Sequence, residues 1–272
     1  MAKHPDSALE LPWAWQSYNE EGIRFSYFRT YQQLYELAAR LRIQRAALQP
    51  LTETQIILGQ YHAAYRDLQA VLLGLSEAQM DLPPAENEWP VRQALIHILT
   101  ADIGFYGLVR FALDRLRSGE TEPAPVPDDA WFALIGLDEA EYKAIMVSPV
   151  GPVLARLQTQ HDKVIDSFGA ISAAELDAPS YYWESETYSL RFRLHRFHAH
   201  MRQHTIQIEK TRAALGLPPT ETCRLLRHIY AALADVEGTL IQYDPEDPSL
   251  LHETTQSIQT LTLQLEDQIA RS

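Results

Sequence analysis

Cysteine is almost missing from this chain of 272 residues; Cys223 is the only one. A lone cysteine closes no internal disulfide and furnishes no cysteine-rich zinc site. That usage fits a reducing, cytoplasmic compartment. Positive charge is also scarce, with 23 Lys and Arg against 36 Asp and Glu, a net charge of −13. Sequence-independent nucleic-acid binding draws its affinity from phosphate neutralisation, so nucleic acid is not an expected partner. An anionic membrane is disfavoured for the same reason. No run of roughly 18 residues is apolar throughout, as a membrane-spanning helix requires; the nearest, 94–109, is broken by His97, Thr100 and Asp102. Behind Met1 to Ser7 there is no apolar stretch, so no secretory signal is expected.

Several catalytic signatures are absent too. There is no GxGxxG, no phosphate-binding P-loop and no GxSxG. No Glu-x-x-His occurs on a helix, which argues against a carboxylate di-iron bundle. His252-Glu253-Thr254-Thr255-Gln256 has Gln256 where a zincin needs its second histidine. Cys223 has no activating neighbour and reads as a packing residue.

What is present is helical periodicity over an ordinary globular composition, 46% apolar and 22% charged. A first helix is expected at about 24–47, with Tyr27, Tyr31, Leu34, Ala38 and Leu41 on one face and Pro50 as its stop. Thr52 is a plausible N-cap for a second helix striped by Ile57, Tyr61, Ala64, Leu68 and Leu72. A third follows Pro90 and runs to about Arg117. The proline-rich segment 118–127 reads as a loop and 128–147 as a short helix. Long helices are expected at about 150–169 and 188–215, the latter stopped by Gly216 and Pro218-Pro219. Residues 178–188, rich in tyrosine and glutamate, read as a loop. Two last helices span about 220–242 and 248–270.

No linker is long enough to part independent domains. The expected plan is therefore an N-terminal extension with one helix at 1–50, a four-helix bundle at 51–216, and a C-terminal helical hairpin at 217–272 packed on it. A homodimer built on the terminal helices stays open.

The stretch 194–204 holds four of the ten histidines. Successive helical residues turn by about 100°, so His200 and His204 project about 40° apart, side by side. His198 lies about 160° from His200, and His195 points nearly opposite His204. Leu190, Leu194, Phe197, Met201 and Ile208 form an apolar stripe that takes in the His204 position, so the pair faces the bundle or its rim. Two neutral imidazoles four residues apart can chelate one transition metal.

A third ligand must come from another helix, and His97 is the best candidate. It shares its face with Ala94, Ala101 and Gly104, whose small size leaves room for an ion, a water and a substrate. Each residue alone has a plainer reading: a solvated helix face or a hydrogen-bonded core pair for His200 and His204, an ordinary buried histidine for His97. Burying three polar rings on two apolar helices without a shared purpose is costly, which favours the metal. His161, His195, His198 and His228 read as surface or supporting residues. Tyr181, Tyr182 and Trp183, with Glu184 and Glu186, could line a pocket or simply pack on the bundle end, and are left out of the site.

Glu88-Trp89-Pro90-Val91-Arg92-Gln93-Ala94-Leu95-Ile96-His97 resembles the first signature of the DinB/YfiT-like family, a Trp-Ser-Val-Arg-like helix start leading to a histidine, with Pro90 where serine is common. His200-Met201-Arg202-Gln203-His204-Thr205-Ile206-Gln207-Ile208, closing on Leu215-Gly216, resembles its second signature, and the likeness spans about 51–216. The resemblance implies an all-α, DinB-like four-helix bundle with additional N- and C-terminal helices, and a divalent metal (Zn, Ni or Fe) on His97, His200 and His204. It also implies a metal-dependent transferase or hydrolase, such as a thiol transferase using a low-molecular-weight thiol on small electrophilic substrates. A metal-binding or stress-response protein without catalysis is the alternative; a fourth protein ligand closing the site would favour it.

Overall fold

The computed structural model describes residues 5–182, 184 and 186–272. Seven long helices carry the fold: α1 (Ile23–Leu48), α2 (Glu53–Val71), α3 (Val91–Arg117), α4 (Val150–Phe168), α5 (Leu190–Ala214), α6 (Glu221–Leu240) and α7 (Ser249–Ala270). The fold is all-α apart from one two-stranded hairpin. The chain divides into two compact units, Thr52–Tyr65 with Leu75–Leu217, and Met1–Leu51 with Arg66–Gly74 and Pro218–Ser272. No linker is needed for this division, because it falls inside α2 after Tyr65.

The first unit is a bundle of the N-terminal part of α2 with α3, α4 and α5. Tyr61 of α2 sits where all four meet. Its hydroxyl donates to Asp102 of α3 at 2.7 Å, and its ring lies 5.0 Å from His161 of α4 and 5.3 Å from Phe197 of α5. Around it Leu58, Leu95, Ile98, Val164, Phe168, Leu194, Phe197 and Met201 are wholly buried. Among the described residues α3 is the one helix long and apolar enough to cross a membrane, yet 72% of its apolar window is buried within the protein. Interior packing accounts for its hydropathy.

Local chemistry sets the boundaries. Thr52 and Gln55 cap α2 reciprocally: the Gln55 amide donates to the Thr52 hydroxyl at 3.3 Å and the Thr52 amide to Gln55 Oε1 at 3.1 Å. Pro90 stands in extended conformation just before α3. α5 starts where Ser189 accepts from the Phe192 amide and ends on Gly216 at φ 68°, with Leu217 N–H returning to Arg212 O at 2.9 Å. The single short helix expected within 128–147 is two, Trp131–Ile135 and Glu139–Ile145, because Gly136 adopts φ 72° between them. The stretch expected to be a loop at 178–188 is closed at its mouth by paired strands, with Pro179 opposite Ser189 and Ser180 opposite Tyr188. Two-residue strands are too short to leave a period-two pattern.

In the second unit α1 packs on α6 and α7. Leu34, Leu37, Ala38 and Leu41 meet Ala232 and Val236, while Ile23 and Tyr27 meet Leu225, Leu261 and Leu265. Buried Arg45 donates to the carbonyls of Thr239 and Ile241, satisfying acceptors at the end of α6. Asp6 caps the other end, accepting from the amides of Glu221 and Thr222 at 2.8 and 3.0 Å.

Candidate metal centre

His97 lies two turns into α3, and His200 and His204 lie one turn apart on the buried face of α5. The structure brings all three together. Nε2 of His200 is 3.1 Å from Nε2 of His97 and 3.1 Å from Nε2 of His204. One ligand atom from each lies within 4.8 Å of the others. His200 and His204 are buried, and His97 is half-buried.

Hydrogen bonding alone fits this cluster poorly. Nδ1 of His204 lies 2.7 Å from Gln207 Oε1. Because that oxygen can only accept, a neutral His204 ring carries its proton on Nδ1 and presents Nε2 as a lone pair. His200 would then have to share one N–H between two acceptors, while its own Nδ1 is buried with no partner. A cation gives each lone pair its own bond. With metal–nitrogen bonds of about 2.0–2.1 Å, a tetrahedral site has nitrogens roughly 3.3 Å apart, close to the separations seen. The donor set therefore fits a divalent transition ion, and neutral imidazole is its most common protein ligand.

Burial pushes the His200 pKa down to about 3, helped by the neighbouring His204, His97 and Arg196. Burial, then His204, also lowers His97. Both rings are thus neutral at pH 7 with lone pairs free. Aromatic rings enclose them: Trp89 lies 5.1 Å from His97 and stacks at 6.5 Å on His204, and Phe105 meets His200 edge-on at 5.6 Å.

One expectation needs correction. The room expected at Gly104 is taken, since a Cβ there would stand 2.9 Å from the Tyr182 hydroxyl. Of the histidines read as surface or supporting residues, His161 is buried, bonded to His62 at 3.2 Å and to Asp162 at 3.1 Å. His195 and His198 are half-buried away from the cluster, and His228 is exposed beside Tyr31. On the exposed side of α7, His252 is hydrogen-bonded to Gln256 at 2.8 Å.

Trp183 lies outside the described residues. Its neighbour Glu184 holds buried Arg193 of α5 through both oxygens, at 2.8 and 3.0 Å. Sequence reasoning passed over Gln207 as a supporting residue, although its place three after His204 puts it in reach. Arg196, four residues before His200, was likewise passed over, and Phe105 gave no spacing signal of its own.

The model of the DinB superfamily matches residues 60–208, more than half of the chain and including all three histidines. Among solved structures, YfiT from Bacillus subtilis, described as a probable metal-dependent hydrolase with an unusual four-helix bundle topology, resembles it at 18% identity and a TM-score of 0.47. That likeness covers 62% of this chain and 91% of the other. No curated protein matches the sequence.

Proposed function

The chain belongs to the DinB superfamily, and from that membership together with its histidine cluster we propose that it is a metal-dependent enzyme acting on small electrophilic molecules. His97, His200 and His204 would hold one divalent ion (zinc, nickel or iron) through Nε2. One observation carries this reading: three Nε2 atoms converge from two helices, and among the described residues no acid, cysteine or further histidine joins the group. Three protein ligands leave coordination positions open, as catalytic sites do and closed structural sites do not.

When bound, the ion supplies Lewis acidity, which makes a nucleophile of water or a low-molecular-weight thiol at neutral pH. The protein's own residues do the rest. Gln207 fixes the tautomer and direction of His204. Burial keeps His97 and His200 unprotonated. Trp89 and Phe105 pack against the rings. The reaction we favour is transfer of a thiol to an electrophile, with hydrolysis the outcome if water takes the thiol's place. A thiol co-substrate would suit a reducing cytoplasm, as would the single buried cysteine.

Tag-free protein loaded with zinc or nickel should be offered glutathione, bacillithiol or mycothiol with 1-chloro-2,4-dinitrobenzene. Conjugation above background, lost in His200→Ala, is expected. Metal uptake without turnover of any thiol or ester substrate would replace this reading with that of a non-catalytic metal-binding protein.

A further inference from the structure

One turn before His200 on α5 stands Arg196. Residues 196, 200 and 204 are spaced four apart, so their side chains follow one row along the helix. The Arg196 guanidinium carbon lies 5.9 Å from the centre of the Phe105 ring, the same ring whose edge meets His200 at 5.6 Å. Arg196 is partly exposed, and among the described residues it has no hydrogen bond and no ion pair. Its neighbours are engaged: Arg191 pairs with Glu53 and Asp177, and Arg193 with Glu184. Glu184 is near enough for Arg196 to help hold its carboxyl down, yet both its oxygens are bonded to Arg193. In a chain with a net charge of −13, a guanidinium with no hydrogen-bonded acid among the described residues, beside a histidine cluster, calls for an explanation.

The cluster itself contributes no negative charge, since its three ligands are imidazoles and no carboxylate joins them among the described residues. A divalent ion held there keeps its full charge, so the ion and Arg196 together favour an anion. On α3, Gly104, seven residues on from His97, lies about 10 Å along the helix at 1.5 Å per residue, and the Tyr182 hydroxyl rests against it.

We propose that the site takes a small molecule bearing a carboxylate, which Arg196 grips through its planar fork while the rest of the molecule faces His97, His200 and His204. This rests on the reading of those histidines as a metal centre. A planar guanidinium matches a carboxylate with two parallel N–H···O bonds, and the Phe105 face supports it. Arg196 thus determines which electrophiles the site accepts.

Succinate, its neutral analogue succinamide and inorganic phosphate are the probes, titrated by calorimetry into the full chain, zinc-loaded and metal-free. Succinate should bind the wild type and Arg110→Ala alike, Arg110 lying 13 residues along α3 from His97. It should bind Arg196→Ala about tenfold more weakly or worse, and Arg196→Lys, which keeps the charge but loses the fork, in between. Succinamide should not bind measurably. Zinc content by elemental analysis should be the same in Arg196→Ala as in the wild type. Equal succinate affinity in the wild type and Arg196→Ala, with zinc content unchanged, overturns this inference and leaves the metal centre standing. Phosphate binding more tightly than succinate overturns the carboxylate. If the wild type takes up no zinc, the metal centre fails, and Arg196-dependent succinate binding by the metal-free chain then decides this inference alone. Should Arg196→Ala not fold, succinate affinity unchanged in Arg196→Lys overturns it.

Discussion

At the scale of the residue, spacing carried much of the information. The four-residue interval between His200 and His204 fixed their direction, and small neighbours singled out His97. The role of those neighbours was misjudged at Gly104, because the Tyr182 hydroxyl arrives from a loop that periodicity cannot place. Gln207 is the residue whose role is most readily tested. Gln207→Leu removes the acceptor that orients His204, so metal affinity should fall about 10–100-fold with helicity unchanged by circular dichroism; unchanged affinity would show that the 2.7 Å contact does not support the site. Asp102 was read only as a break in an apolar run, yet it is wholly buried, with Oδ2 accepting from Tyr61 and Oδ1 unpartnered. Burial pushes its carboxyl up to about 8 from an ordinary 3.8, against the opposing pull of the Tyr61 hydrogen bond. Between those values the folded state holds the proton that the unfolded chain has released, so stability falls as pH rises through the window. Asp102→Asn carries no such proton. Its stability relative to the wild type should therefore grow from pH 4 to pH 8 in urea unfolding, and a gap independent of pH would contradict the burial argument.

At the scale of the element, the long helices were legible because their buried residues recur with a 3.6-residue period and most end near a proline or glycine. The hairpin at 179–189 was not, since each strand has two residues and Glu184 is instead held by Arg193, nine residues on. Nor was the packing of Trp131–Ile135 on α3. That contact depends on Gly107, where a Cβ would stand 2.9 Å from Ile135 Cγ2 and 3.2 Å from Trp131. Gly107→Ala should therefore destabilise the protein by about 1–3 kcal/mol despite alanine's better helix propensity. An increase in unfolding midpoint would mean that the short helix simply moves aside.

At the scale of the whole molecule, composition excluded a disulfide framework and disfavoured nucleic-acid binding, but it could not show that the chain makes two compact units dividing within α2. A hydrophobic stripe reads the same whichever unit buries it. Folding and metal binding should be linked: an ion that binds only the folded state adds about 2.7 kcal/mol at a hundred times its dissociation constant, so zinc or nickel should raise the unfolding temperature of the wild type and not of His204→Ala. The central claim, that His97, His200 and His204 together hold one ion, is tested most directly by elemental analysis of tag-free protein dialysed against zinc or nickel. One divalent ion per chain in the wild type and almost none in His200→Ala is the predicted result. No bound ion in the wild type, or equal content in both, would contradict it.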